Sequence, residues 1–64
     1  MVKVNGVLLA IDGKTIEQYL STTKFDITRI AIERNGEIVF RSQYNKVILK
    51  DGDTIEIVSF VGGG

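Results

Sequence analysis

The chain has 64 residues, 44% hydrophobic and 25% charged, with eight basic residues, eight acidic residues and a formal net charge of zero. That composition belongs to one small globular domain, and a domain of this size buries only about 60% of its unfolded surface, which leaves no room for a deep pocket. The basic residues are scattered, the longest apolar run (Val7 to Ile11) is far too short to cross a bilayer, and no charged-then-apolar leader opens the chain; the expectation is a cytoplasmic protein with neither a nucleic-acid nor a membrane partner.

Cys and His are both absent. Thiol nucleophiles, disulfides, zinc sites built on these residues and the Ser-His or Cys-His pairs of covalent catalysis are therefore excluded. For covalent chemistry the main chain is then the better candidate, and its terminal carboxylate is the obvious group.

Val2-Lys3-Val4 alternates, Asn5-Gly6 follows, and Val7 to Ile11 is apolar. Asn-Gly between apolar runs signals a two-residue hairpin loop, because a type I′ turn needs φ > 0 at both central positions. The loop sets Val4 opposite Val7 and Val2 opposite Leu9, with all four and Ile11 expected on the buried face. Lys3, Leu8 and Ala10 then face the other way. Thr15-Ile16-Glu17-Gln18 fits a capping box, and Ile16, Tyr19 and Leu20 form one apolar stripe, so a helix is expected from Thr15 that fades by Thr23. So short a helix needs a sheet to pack on.

Thr28 to Arg34 is rich in β-branched residues and alternates, with Ile30 and Ile32 on one face and Arg29, Ala31 and Glu33 on the other. A second Asn-Gly turn at Asn35-Gly36 pairs Ile32 with Val39 and Arg34 with Glu37, the latter as a cross-strand charge pair. Ile38 and Phe40 fall on the face of Ala31. Arg41 to Tyr44 is expected as a single 3₁₀ turn, Lys46 to Leu49 as a short strand or extended segment, and Asp51-Gly52-Asp53 as a turn. The two Asp residues lack the further ligands and the twelfth-position Glu of a calcium loop, so no metal site is expected. Thr54 to Val61 is the last strand. Ile55 and Ile57 suit the buried face, and Val58 and Phe60 have the opposite parity, so this strand is either bulged or apolar on both sides.

The order β-β-α-β-β-β, without internal repeat or linker, points to an α+β domain: a mixed sheet of four to five strands with one helix packed on one face. With the first and last strands as central neighbours they run parallel, which is the β-grasp arrangement. Residues 1–61 are expected to form that domain and residues 62–64 a flexible glycine tail, a thread that reaches at most about 10 Å.

The chain resembles the ThiS-type sulfur carriers of thiamine biosynthesis, small relatives of ubiquitin. The likeness is carried by Asn5-Gly6, Thr15-Ile16 with Leu20, Ala31 followed by Asn35-Gly36-Glu37, Arg41 with Tyr44, Asp51-Gly52-Asp53, Ile55-Glu56-Ile57 and Phe60-Val61-Gly62-Gly63-Gly64. It runs the whole length of the chain, with a third glycine where the family ends in Gly-Gly. The resemblance implies that the carboxylate of Gly64 is the reacting group, reached through Gly62 and Gly63. It implies a ThiF-type adenylating enzyme that uses ATP and magnesium, a sulfur donor such as a cysteine desulfurase that converts the acyl-adenylate into a thiocarboxylate, and thiazole synthase as the acceptor. The chain itself would be a protein co-substrate and no enzyme, with no bound cofactor. Chemical logic agrees: a carboxylate is a poor electrophile until a mixed anhydride with AMP gives it a leaving group.

Two alternatives share the activated tip. One is a carrier that donates sulfur to molybdopterin, a family of generally longer chains; the other is a ubiquitin-like protein modifier or interaction module. In every case the outer sheet face matters. Leu8, Ile38, Phe40, Val58 and Phe60 are the candidate partner-docking residues, on the ground that a two-layer domain normally keeps polar side chains on a sheet face that meets water.

Overall fold

Asn5 and Gly6 adopt φ of 49° and 84°, and Asn35 and Gly36 adopt 52° and 85°, in the computed structural model, which describes residues 1–60. These two turns build the two hairpins of the sheet. β1 (Val2–Val4) pairs antiparallel with β2 (Val7–Leu9), and β3 (Ile30–Arg34) with β4 (Glu37–Val39). Both registers are the ones the turns dictate: Val2 lies opposite Leu9 and Val4 opposite Val7, Ile32 opposite Val39 and Arg34 opposite Glu37.

The last strand, β5 (Thr54–Ser59), enters between the hairpins and joins them. It runs parallel to β1 and antiparallel to β3, giving one five-stranded sheet in the order β2-β1-β5-β3-β4. This is the β-grasp arrangement expected from the order of elements. The β3–β5 ladder is continuous from Ile30↔Ser59 to Arg34↔Ile55, so the strand is not bulged and its end is apolar on both sides.

The helix α1 (Ile16–Leu20) starts at the expected capping box: the Gln18 N–H donates to Thr15 Oγ1 at 3.0 Å and the Thr15 N–H to Gln18 Oε1 at 2.9 Å. Ile16 and Leu20 face the sheet and are buried with Val2, Val4, Ile32, Ile55 and Ile57. Burying one such side chain stabilises by roughly 1.5–3 kcal/mol, which is why so short a helix holds. Tyr44 also lies in this core, and burial raises its phenol above the ordinary value against the opposing charge of Arg41.

Four local expectations need correction. Val7 pairs with Val4 as expected but stays exposed, since it sits on the edge strand beside the turn. The strand expected from Thr28 begins at Ile30 instead: the Asp26 carboxylate accepts from the Thr28 N–H and hydroxyl and draws Ile27–Arg29 into a 3₁₀ turn. The segment after the second 3₁₀ turn (Arg41–Gln43) makes one bridge, Thr15↔Ile48, and bonds the loop before α1 rather than the sheet. Finally, Arg34 does not make its ion pair with Glu37. Its Nε donates to Asp53 Oδ2 at 2.9 Å, because Arg34 lies on the inner face where Asp53 is buried.

The outer sheet face at the root of the tail, a candidate functional site

The site is organised by β5, and the two turn asparagines hold that strand from either side. The Ile57 N–H donates to Asn5 Oδ1 at 2.8 Å, and Asn5 Nδ2 donates to the Ile57 carbonyl at 3.1 Å. The Thr54 N–H donates to Asn35 Oδ1 at 2.9 Å, and the Asn35 N–H to the Thr54 carbonyl at 2.8 Å. An asparagine at φ > 0 is tolerated sterically, and its amide presents the same donor and acceptor as a peptide group. Each turn thus closes a hairpin and also pairs with the strand that leads to the glycines.

A buried carboxylate fixes the start of the same strand. Asp53 accepts from Arg34 Nε at 2.9 Å, from Asn35 Nδ2 at 3.0 Å and from the Lys50 N–H at 2.9 Å. Burial alone would raise this carboxyl; the Lys50 N–H, the Asn35 amide and the Arg34 guanidinium outweigh burial and hold it below its ordinary value of 3.8. The other acid of this turn, Asp51, accepts from the Met1 amine. Both acids therefore serve the fold. Among the described residues no group of three or more His, Cys, Asp or Glu side chains is placed to hold a metal ion.

β5 ends with Ser59 opposite Ile30, and the Phe60 N–H donates to the Arg29 carbonyl at 2.7 Å. The candidate residues Gly62, Gly63 and Gly64, and the domain boundary at Val61, lie outside the described residues. The candidate docking residues are described. Leu8, Ile38, Phe40, Val58 and Phe60 are each between 55% and 65% exposed. Four of the five lie on or directly after β4 and β5, on the side of the sheet away from β2. Val58 lies directly opposite Ala31, and Ala31, Ile38 and Phe40 line one shallow cleft of about 280 Å³. Phe60 follows directly after β5, two residues on from Val58. Leu8 stands apart: it is opposite Lys3, which is opposite Thr54, and Thr54 is about 13 Å along β5 from Val58 at ~3.3 Å per residue. A contiguous exposed apolar patch on so small a domain marks an interaction surface more often than isolated exposed residues do.

Sequence reasoning missed Asp53, Asn5 and Asn35 as the groups that place β5. Asn-Gly marks the turn, but nothing local says that the asparagine amide reaches a strand distant in sequence.

The sequence model described as the ThiS family matches residues 2–64. The chain belongs to the ThiS family. Sulfur carrier protein ThiS of Bacillus subtilis is 41% identical over 66 residues that cover the full length of both chains. The crystal structure of the thiamine biosynthesis protein ThiS from Geobacter metallireducens superposes with a TM-score of 0.77 at 30% identity, covering 98% of this chain and 97% of that one. A thiazole synthase of Paramagnetospirillum magneticum is 48% identical over 50 residues, 78% of this chain. The chain spans only 15% of that protein and 16% of a similar thiazole synthase from Magnetococcus marinus. In those two relatives a ThiS-like segment is one part of a much longer chain. No helix among the described residues is long and apolar enough to cross a membrane.

Proposed function

We propose that this chain is a sulfur carrier of thiamine biosynthesis that holds sulfur as a thiocarboxylate on Gly64. The observation that carries this reading is the match of the ThiS family to residues 2–64, which takes in the glycine triplet, on a fold whose central strand β5 leads directly to it. A ThiF-type enzyme with ATP and magnesium joins AMP to the Gly64 carboxylate and releases pyrophosphate. A sulfur nucleophile from a cysteine desulfurase or similar donor then displaces AMP: sulfide gives the thiocarboxylate directly, whereas a persulfide gives an acyl disulfide whose S–S bond a thiol reductant cleaves to leave the thiocarboxylate and a disulfide. The sulfur passes to thiazole synthase.

In this cycle the chain is a protein co-substrate, and its own residues do two things. Gly62, Gly63 and Gly64 carry no side chains, so the tip can enter a narrow, water-excluded site. Ala31, Ile38, Phe40, Val58 and Phe60 offer the partner a flat apolar surface beside the tail. Holding the body there makes the attack on the tip effectively intramolecular. The relatives in which a similar segment shares one chain with thiazole synthase support that enzyme as a partner.

The test is the intact mass of the chain after incubation with the adenylating enzyme, ATP, magnesium and a sulfide source. Replacement of one oxygen by sulfur, mapped to Gly64, is the expected result. An unchanged mass with an enzyme that activates a known ThiS protein would reject the reading.

A further inference from the structure

Glu33 and Glu56 lie directly opposite each other on β3 and β5. Both are exposed, both have outer-face parity, and among the described residues no cation stands within ion-pair distance of either. Like charges facing each other across an antiparallel pair destabilise it. A domain of this size has little stability to lose, and a local rule broken without structural compensation is characteristic of a functional surface.

The pair sits at the border of the apolar patch, with Thr54 and its partner Lys3 as the next outer-face positions on its other side. Glu33 is flanked across the sheet by Ile38 on β4, and on the patch side the next outer-face positions along β3 and β5 are Ala31 and Val58. Two acids bordered by apolar groups make a surface that a purely apolar partner would cover at the cost of two desolvated carboxylates. A cationic partner group removes both penalties, since it satisfies the carboxylates and cancels their mutual repulsion.

We propose that Glu33 and Glu56 are the recognition centre of the docking face, and that thiazole synthase covers this face with an arginine or lysine ringed by apolar side chains. The proposal rests on the sulfur-carrier reading above. Two features favour thiazole synthase as the occupant: the patch lies at the root of the tail that must reach its active site, and relatives exist in which a ThiS-like segment and a thiazole synthase are one polypeptide. The acidic pair would then set register, so that the tail starts from one fixed point on the enzyme.

The experiment compares the full chain with Glu33→Gln, Glu56→Gln, the double variant and Glu56→Lys, titrated into purified thiazole synthase by calorimetry at low and high salt, with thermal midpoints measured in parallel. The glutamine variants should melt at or above the temperature of the unsubstituted chain, because repulsion is relieved. The double variant and Glu56→Lys should bind at least about tenfold more weakly, and the double variant should lose most of the salt dependence. Unchanged affinity and salt dependence in the double variant would overturn the proposal. So would weaker binding accompanied by earlier melting, which would make the pair a support of the fold, and so would failure of the unsubstituted chain to bind the synthase. The mass test on the unsubstituted chain separates the two ideas: a thiocarboxylate that forms normally while the glutamate variants bind unchanged leaves the carrier reading standing and removes this inference alone.

Discussion

The Asn5 side chain exchanges two hydrogen bonds with the backbone of Ile57, one at 2.8 Å and one at 3.1 Å, across 52 positions of sequence. It extends the β1–β5 ladder past the end of β1, so the first turn of the chain grips its last strand. Replacing Asn5 with Gly keeps φ > 0 accessible and removes only the side chain. At about 1 kcal/mol for each bond, that variant should lose roughly 2 kcal/mol in urea denaturation. Asn5→Ala should lose about 1 kcal/mol more, because Ala is disfavoured at φ > 0. A glycine variant as stable as the parent would mean that water replaces the amide at no cost.

Asp53 gives a second stability prediction. Asp53→Ala leaves the Arg34 guanidinium, the Asn35 amide and the Lys50 N–H without their shared acceptor and should cost about 3 kcal/mol. A loss below about 1 kcal/mol would show that these groups rehydrate freely.

The same carboxylate predicts a pH dependence. Its pKa in the folded state lies below 3.8, so the unfolded chain takes up the proton more readily. Its contribution is complete above that ordinary value and is lost as pH falls through the folded-state value, so stability should decline from about pH 5 downward. Asp26 and Asp51 are lowered too, the first by the Thr28 hydroxyl and the second by the Met1 amine, and they add to the decline. The difference between the parent and Asp53→Asn isolates Asp53: the variant should show the smaller acid-induced drop in thermal midpoint. Parallel curves would assign the acid sensitivity elsewhere.

The two exposed phenylalanines should separate binding from folding. Phe40→Ala and Phe60→Ala should each weaken partner binding by about 2 kcal/mol, the range of aromatic hot spots. Their stability should stay within about 0.5 kcal/mol of the parent, as for other exposed positions. Early melting would place that ring in the core, and unchanged affinity would remove it from the docking face.

At the tip, deletion of Gly64 or Gly63→Leu should abolish or cripple adenylation, followed by ATP–pyrophosphate exchange, with no change in thermal midpoint. A Gly63→Leu chain activated at the normal rate would show that the channel does not require a side-chain-free thread.

The sequence by itself determined what is local. Asn5-Gly6 and Asn35-Gly36 fixed two hairpin registers, because φ > 0 at both central residues admits one turn geometry, and the alternation around Ile30, Ile32, Ile55 and Ile57 fixed which face is buried. The Thr15–Gln18 box fixed where the helix starts. The ordered set of turns and the glycine ending sufficed for the family resemblance, and parity alone placed Ile38, Phe40, Val58 and Phe60 on one face. What tertiary structure decided is what happens across the sheet. The partner of Arg34 is Asp53 rather than the adjacent Glu37, since a buried carboxylate competes for a cation far better than a solvated one does. Leu8 shares the outer face but not the patch, because β1 lies between its strand and β5, and its level on β5 is Thr54, about 13 Å from Val58 at ~3.3 Å per residue. The facing of Glu33 and Glu56 likewise depends on β5 inserting beside β3, a pairing between segments whose registers no local signal connects. Local signals choose turns and faces because they act through φ/ψ and parity; neighbours between distant strands are chosen by which arrangement buries all the inner-face residues at once.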